Sequence, residues 1–472
     1  MRFPLGGILK DFDSKKSRAE IVNLIPELDE KGNYRTVKRV DGLTAFATLS
    51  DGPVRSNLLV NAGYVYVVSG SSLHRVDALG VATSLGAVGG SGRAVIRANS
   101  VPGDSQILVL NGSGLGYIYT NAAGLVQITD VDFNNSTSAT ILKERFWFAR
   151  DDTNEFFGSA ISDGTTYSAL TYGSADESPD DVVAVQAKKS ALWVLGEKTT
   201  QYFQDFNDPD FPLRDVRGAT KEWGIIAKDS LSEVNEAFAF LADDRTVRLI
   251  QGTQITEISD LSFRIAIKGN GTLTEPGFSK IDDAYGFFVD GPIHSIYYIT
   301  FPTEGYTWGF DVKTGVSHRR ESEGLGYWRV NSAVKFGNKI ICGDSEDGKL
   351  WVLDPDSKTE GDQFIRTKIV TPSISFPKDT YIDTIEIDME VAQTNDPTID
   401  PMMIVYYTKD GGNTWINKGH VPIGKYGQHS KRVPLRQFGR LVRHKDFALR
   451  LETTDDIGNR YYGAEMRISE SI

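Results

Sequence analysis

The densest chemistry-bearing pattern in the chain is Thr408-Lys409-Asp410-Gly411-Gly412-Asn413-Thr414-Trp415. It fits the Asp-box pattern: Ser or Thr, x, Asp, x, Gly, x, Thr, Trp. The mechanics it predicts are structural. The Asp410 carboxylate can accept from backbone N–H groups of a tight turn, Gly412 can take a positive φ, and Trp415 can cover the hairpin base. A glycan-hydrolysing propeller would repeat the box in several blades, with an arginine cluster for the substrate carboxylate and a tyrosine nucleophile. Here the box occurs once. A second pattern follows at once: residues 416–450 hold nine Lys or Arg against one acid, Asp446, in a chain of net charge −12. Lys431, Arg432, Arg436, Arg440, Arg443 and Lys445 are its candidate interface residues. The run reads as a solvated strand face or as an interface with an acidic neighbour. Direct binding to DNA phosphates has less support, because no interleaved aromatics accompany the charges.

Other reactive residue types lack partners at useful spacing. The six histidines show no HExxH or i,i+4 pairing, so no metal site is expected. The single cysteine, Cys342, sits in the apolar run Ile340-Ile341-Cys342 and reads as a buried thiol made in a reducing compartment. Gly112-Ser113-Gly114-Leu115-Gly116 and Gly89-Gly90-Ser91-Gly92 lie between β segments, with no helix N-terminus to hold a phosphate. No catalytic residue and no cofactor are therefore expected. A pI near 5.1 argues against generic nucleic-acid affinity, yet suits a surface that lets DNA slide past. No run of 18 apolar residues occurs, so membrane insertion is not expected. The first residues lack an apolar signal region, so a soluble, non-exported chain is expected.

The elements that position these residues are predicted to be β. Seven short apolar cores are centred on Tyr66, Ile118, Trp147, Trp193, Ala239, Tyr298 and Ile341, about 46 residues apart, the spacing of propeller blades. Asp-Gly and Asn-Gly pairs punctuate them as hairpin turns. Residues 15–28 could hold a short helix limited by Pro26. Asp354 to Asp362 is polar and turn-prone, a domain boundary. Beyond it, Thr384 to Val391 and Phe447 to Glu452 alternate as half-buried strands do. The fold class is all-β, with an N-terminal arm over 1–44 packed on another part of the chain, the C-terminal domain being the candidate. A β-propeller-like domain over 45–358 and an antiparallel β-sandwich-like platform over 365–472 complete it.

Asn23-Leu24-Ile25-Pro26-Glu27 and Val37-Lys38-Arg39-Val40-Asp41-Gly42-Leu43 resemble the start of the tail-hub proteins of short-tailed bacteriophages, also called tail-nozzle or packaged-DNA stabilisation proteins. Near the other end, Tyr407 to Trp415, Gly424-Lys425-Tyr426-Gly427, Lys431-Arg432-Val433 and Leu435 to Arg440 follow an order similar to that family's closing domain. The family pattern often has Pro where Asp41 stands. The resemblance implies a non-enzymatic virion protein: a hexameric ring below the portal and adaptor proteins. Such a ring extends the DNA channel, retains the genome without sequence-specific contacts, and anchors tail fibres or tailspikes, with a tail needle or plug as a further partner. The alternatives are a sialidase-like propeller enzyme and a carbohydrate- or protein-binding propeller.

Overall fold

A computed structural model of the chain describes residues 2–3, 5, 19–28, 34–208, 211–216, 218–269, 277–394 and 397–470. Among these, the strands form seven four-stranded antiparallel blades: 59–87, 95–127, 139–174, 182–215, 232–257, 285–320, and a seventh made from 330–354 plus Gly42–Thr48. The last blade takes its outer strand from near the chain start, with Leu350 facing Ala47 and Leu353 facing Leu43. This pairing ties the first and last blades together.

The blades stack because one strand in each is apolar on both faces. Leu192 and Val194 pack with Trp147 and Phe156 of blade 3, whereas Trp193 and Leu195 pack with Phe238 and Phe240 of blade 5. Leu108 and Leu110 face blade 3 while Ile107 and Val109 face blade 1. Ile296 and Tyr298 face blade 7 while Tyr297 and Ile299 face blade 5. Alternate residues of a strand point to opposite faces, so a strand wedged between two sheets reads as a continuous apolar run. Each of the seven sequence cores lies on a different blade. Six fall on the second strand, and the one at Ile118 falls on the third strand of blade 2.

Residues 367–470 and the chain start form a sandwich. One layer orders Leu24–Leu28, Tyr34–Arg39, Arg460–Glu470, Thr380–Met389 and Val433–Arg436 side by side. The other orders Glu20–Val22, Thr367–Val370, Asp446–Thr453, Met402–Thr408 and Ile416–Pro422. Phe3, Ile21, Leu24, Ile385, Ile387, Val405, Leu449 and Met466 share its core. The second layer does not stop at Glu20–Val22: Val22 pairs in parallel with Arg319 of blade 6, giving one ten-stranded sheet that runs from propeller to sandwich.

The expected helix at 15–28 is not formed over its described part. Residues 20–22 and 24–28 are strands, one in each layer, and 15–18 lie outside the described residues. The corner between them is Asn23, at φ 57°. Its amide donates to the carbonyls of Glu321 (2.9 Å) and Arg366 (2.8 Å) and accepts from the Glu321 N–H (3.0 Å). Asparagine tolerates this left-handed backbone and supplies the bonds that fix it. The helix that does form, Leu261–Lys268, is capped by Asp260, which accepts from the Phe263 N–H at 2.8 Å. Asp41-Gly42 and Asp163-Gly164 are not hairpin turns; both begin or enter strands.

Replacing Asn23 by Ala is expected to lower stability by about 2–4 kcal/mol, since three buried hydrogen bonds are lost at a strained position. Asn23→Gly, which relieves only the backbone, should recover no more than about 1 kcal/mol of that. Denaturant melts of both variants check this; an alanine variant within about 0.5 kcal/mol of wild type contradicts it.

Candidate functional site

The basic run lies on the sandwich edge farthest from the propeller. Ile416–Pro422 ends one layer and Val433–Arg436 ends the other. Both edge strands carry proline, Pro422 and Pro434, which cannot extend a hydrogen-bonded ladder. Arg436 is exposed, alternating with buried Val433 and Leu435. Arg440 and Arg443 converge on Asp379: Arg440 pairs with it and the Arg443 N–H donates to it at 2.8 Å. Arg432 faces Glu386 at 3.5 Å and Lys425 faces Asp400 at 3.4 Å. Among the described residues, Lys431, Arg436, Arg443 and Lys445 make no side-chain ion pair. Arg450 is separate from this face. It pairs with Glu452 at 3.0 Å and stacks on Tyr406 at 3.9 Å, half-buried. The local charge reversal is thus weaker in space than along the chain, because carboxylates from 379–400 intersperse.

The Asp-box turn closes the hairpin between Met402–Thr408 and Ile416–Pro422. Asp410 accepts from the Thr414 N–H (2.9 Å), the Thr414 hydroxyl (2.6 Å) and the Thr408 hydroxyl (2.7 Å). The Thr414 bonds, then that of Thr408, hold its carboxyl down to about 2. Gly411 and Gly412 take φ of 72° and 89°. Trp415 lies 5.5 Å from the Arg450 guanidinium. Every Asp410 hydrogen bond described is made within the turn.

The propeller axis holds a cavity of about 290 Å³ lined from the inner strands of all seven blades, including Arg93, Arg97, Asp229 and Glu233. Burial, offset in part by Asp229, lowers Arg93; burial raises Glu233 but Arg97 and Lys188 bring it below its ordinary value. Asp229 and Glu233 face these arginines across the axis, with Lys228 a third cation in the lining. The glycine-rich turns pack together near its rim. A Cβ on Gly90 would lie 2.4 Å from the Asn111 carbonyl, and one on Gly92 would lie 2.5 Å from that of Gly112. Arg55 fills the space between them, donating to the carbonyls of Gly92 (2.6 Å) and Asn111 (2.7 Å) as well as Gly70 and Gly89. With carbonyls turned inward onto a cation, these loops are not phosphate cradles.

The residues that sequence reasoning missed sit at the junction. Arg39, 1% exposed, donates to the carbonyls of Asp455, Ile457, Lys358 and Ile365. Burial lowers it to about 10. Glu360, inside the expected boundary, is buried and accepts from Trp328 Nε1 at 2.9 Å and Ser322 Oγ at 2.5 Å, beside Arg320 stacked 3.6 Å over Trp328. Burial, with Arg320, holds the neighbouring His318 down to about 3, and its Nε2 shares a hydrogen bond with the Tyr298 hydroxyl at 3.0 Å. Glu20 bridges blade 6 and the sandwich, pairing with Arg319 and, at 2.7 Å, with Lys368. Burial opposes its charge, but Arg319 and Lys368 prevail and lower it to about 2. Only the alternation of Arg39 with Val37 could have hinted at an inward cation. Cys342 lies in the core between blades 6 and 7, where burial pushes its thiol up to about 12. Among the described residues, no group of three or more His, Cys, Asp or Glu is placed to hold a metal ion, and no helix is long and apolar enough to cross a membrane.

A family model described as Bacteriophage P22 Gp10, beta-propeller, matches residues 1–358. No curated protein sequence matches the chain. Among solved structures, virginiamycin B lyase from Staphylococcus aureus is 9% identical, covering 66% of this chain and 98% of that one at TM-score 0.46. BamB from Moraxella catarrhalis is 11% identical, covering 71% and 96% at 0.40. The Pan2 WD40 domain of Neurospora crassa is 8% identical, covering 70% and 98% at 0.40.

Glu20 has a depressed folded-state pKa, so its stabilisation is complete above its ordinary 4.5 and is lost as pH falls toward about 2. Glu20→Gln should therefore melt below wild type near neutral pH, with the gap closing across that window. Paired thermal melts at a series of pH values would show it; a gap that stays constant down to acid pH refutes the assignment.

Proposed function

The chain belongs to the Bacteriophage P22 Gp10 β-propeller family, the tail-hub and stabilisation proteins, and is a tail protein of the virion; on that premise we propose that it is the hub or nozzle of a short phage tail. Six copies close a ring below the portal and adaptor, extend the DNA channel, help retain the packaged genome and anchor fibres or spikes, with a needle or plug as a further partner. In this reading the arm, 1–44, and residues 365–472 act together as a platform beside the propeller of 45–358. The strand starting at Gly42 places the last arm residues in blade 7.

The observation that carries the proposal is the ten-stranded sheet joining blade 6 to the sandwich. Hydrogen-bonded continuity makes the two parts one stiff strut, which suits a load-bearing wall better than a hinged enzyme. The axial cavity adds a second argument. Duplex DNA, whose major groove alone is about 12 Å wide, cannot thread a space of 290 Å³ lined by seven strands. A channel for the genome must then lie between copies, and a closed ring supplies one. The net charge of −12 suits a lumen that DNA leaves without sticking. The role is non-catalytic.

Mixed with its adaptor at high concentration, the chain is expected to give hexamers by native mass spectrometry and six-fold averages by electron microscopy. Monomers alone under those conditions, or robust turnover of sialosides by the purified chain, would overturn the reading.

A further inference from the structure

Charge and topology together give the molecule two opposite ends. The sandwich extends outward from the outer strand of blade 6, so its basic edge lies at one extreme. In a ring of seven blades, blades 2 and 3 lie across the axis from blade 6. Residues 95–181, which build those blades and their connections, carry twelve acids against four bases, of which Arg97 faces the axial cavity. Among the described residues, only Lys143–Asp205 and Arg150–Glu155 are ion pairs there. Asp152, Asp176 and Glu177 are exposed near one another, with the Asn154 amide donating to Asp176 at 2.9 Å.

Both ends also expose apolar side chains that a solvated charged face does not require. At the acidic end, the link between blades 2 and 3 and the outer strand of blade 3 present Val131 (94% exposed), Leu170 (80%) and Tyr172 (51%), with Val131 and Tyr172 lining a recess of about 260 Å³. The basic edge presents Tyr426 (60%) and Val442 (51%) between its cations. Opposite charge with apolar anchors on each side is the composition of a specific interface. Two different complementary patches at opposite ends make contacts head to tail, and such contacts generate rings when the rotation closes.

We infer that the basic sandwich edge of one copy seats on the acidic loops at the far end of the next copy, around Asp152 between the second and third strands of blade 3 and Asp176 and Glu177 in the link from blade 3 to blade 4. This rests on the ring reading above and adds which faces meet. Repulsive reversal tests it. One variant carries Arg436→Glu, Arg443→Glu and Lys445→Glu; another carries Asp152→Lys, Asp176→Lys and Glu177→Lys. All six positions are exposed, and circular dichroism confirms folding. With adaptor present, each variant alone is expected to weaken assembly about 100-fold, as close interfacial charge pairs do. An equimolar mixture of the two should regain hexamers, because each edge then meets loops of opposite sign, with copies alternating. Native mass spectrometry reads the composition. Wild type that stays monomeric overturns the ring itself. Rings that form in either variant alone, or a mixture that fails to reassemble, overturn the pairing of faces while the ring stands. A basic-edge variant that keeps its rings but loses the adaptor assigns the edge to the adaptor, and also overturns the pairing.

Discussion

A strand with apolar side chains on both faces must be covered on both, and in this chain that demand is repeated in every blade. Its only stable solution is a closed stack, where Trp193 turns one way toward Phe238 while Leu192 turns the other toward Trp147. Each fully buried aromatic or branched side chain contributes about 1.5–3 kcal/mol relative to exposure. Seven such seams, one between every pair of neighbouring blades, therefore leave no blade able to leave alone. The closed ring around a small axial cavity follows from this two-sided burial.

Irregular segments are held by a different means. Arg39 and Arg55 each donate to several backbone carbonyls drawn from segments far apart in sequence. Guanidinium offers five donors in one plane, so one side chain can satisfy loops that have no ladder of their own. Arg320 works beside them, stacked on Trp328 and close to the buried Glu360. The cost of burying these charges is offset only while every segment is in place. The connection between propeller and sandwich is consequently a fixed joint, although its composition reads as a loose linker.

Much of this was legible from residue patterns. Turn residues and seven apolar cores at a blade-sized period point to a propeller, and each core lies on its own blade. The alternation in Thr384 to Val391 reports a half-buried strand in the same way. What stayed hidden depends on partners distant in sequence. The Glu20–Leu28 region has helix-like spacing, yet Asn23 breaks it by bonding to Glu321 and Arg366, almost 300 or more residues away. The basic run seemed nearly free of acids because Asp379, Glu386 and Asp400 come from other strands. The burial of Glu360 within the polar stretch Asp354 to Asp362 stayed hidden because nothing local announces Trp328 and Ser322 as its donors. Local rules find elements; long-range pairing decides which polar residues go inside.

The pairing of Gly42–Thr48 with Lys349–Asp354, and of Val37 and Lys38 with Tyr461 and Arg460, sets an order on biosynthesis. A ribosome makes residues 37–48 long before residues 349–354 and 460–461. Domains otherwise tend to fold from the N-terminal end as they emerge. Here these strands must wait with an unpaired edge until residues 349–354 and 460–461 have been made. Nascent copies sharing one polysome would then carry sticky, unsatisfied leaders at high local density, and exchange of those leaders between neighbours is the natural misassembly for this architecture to avoid.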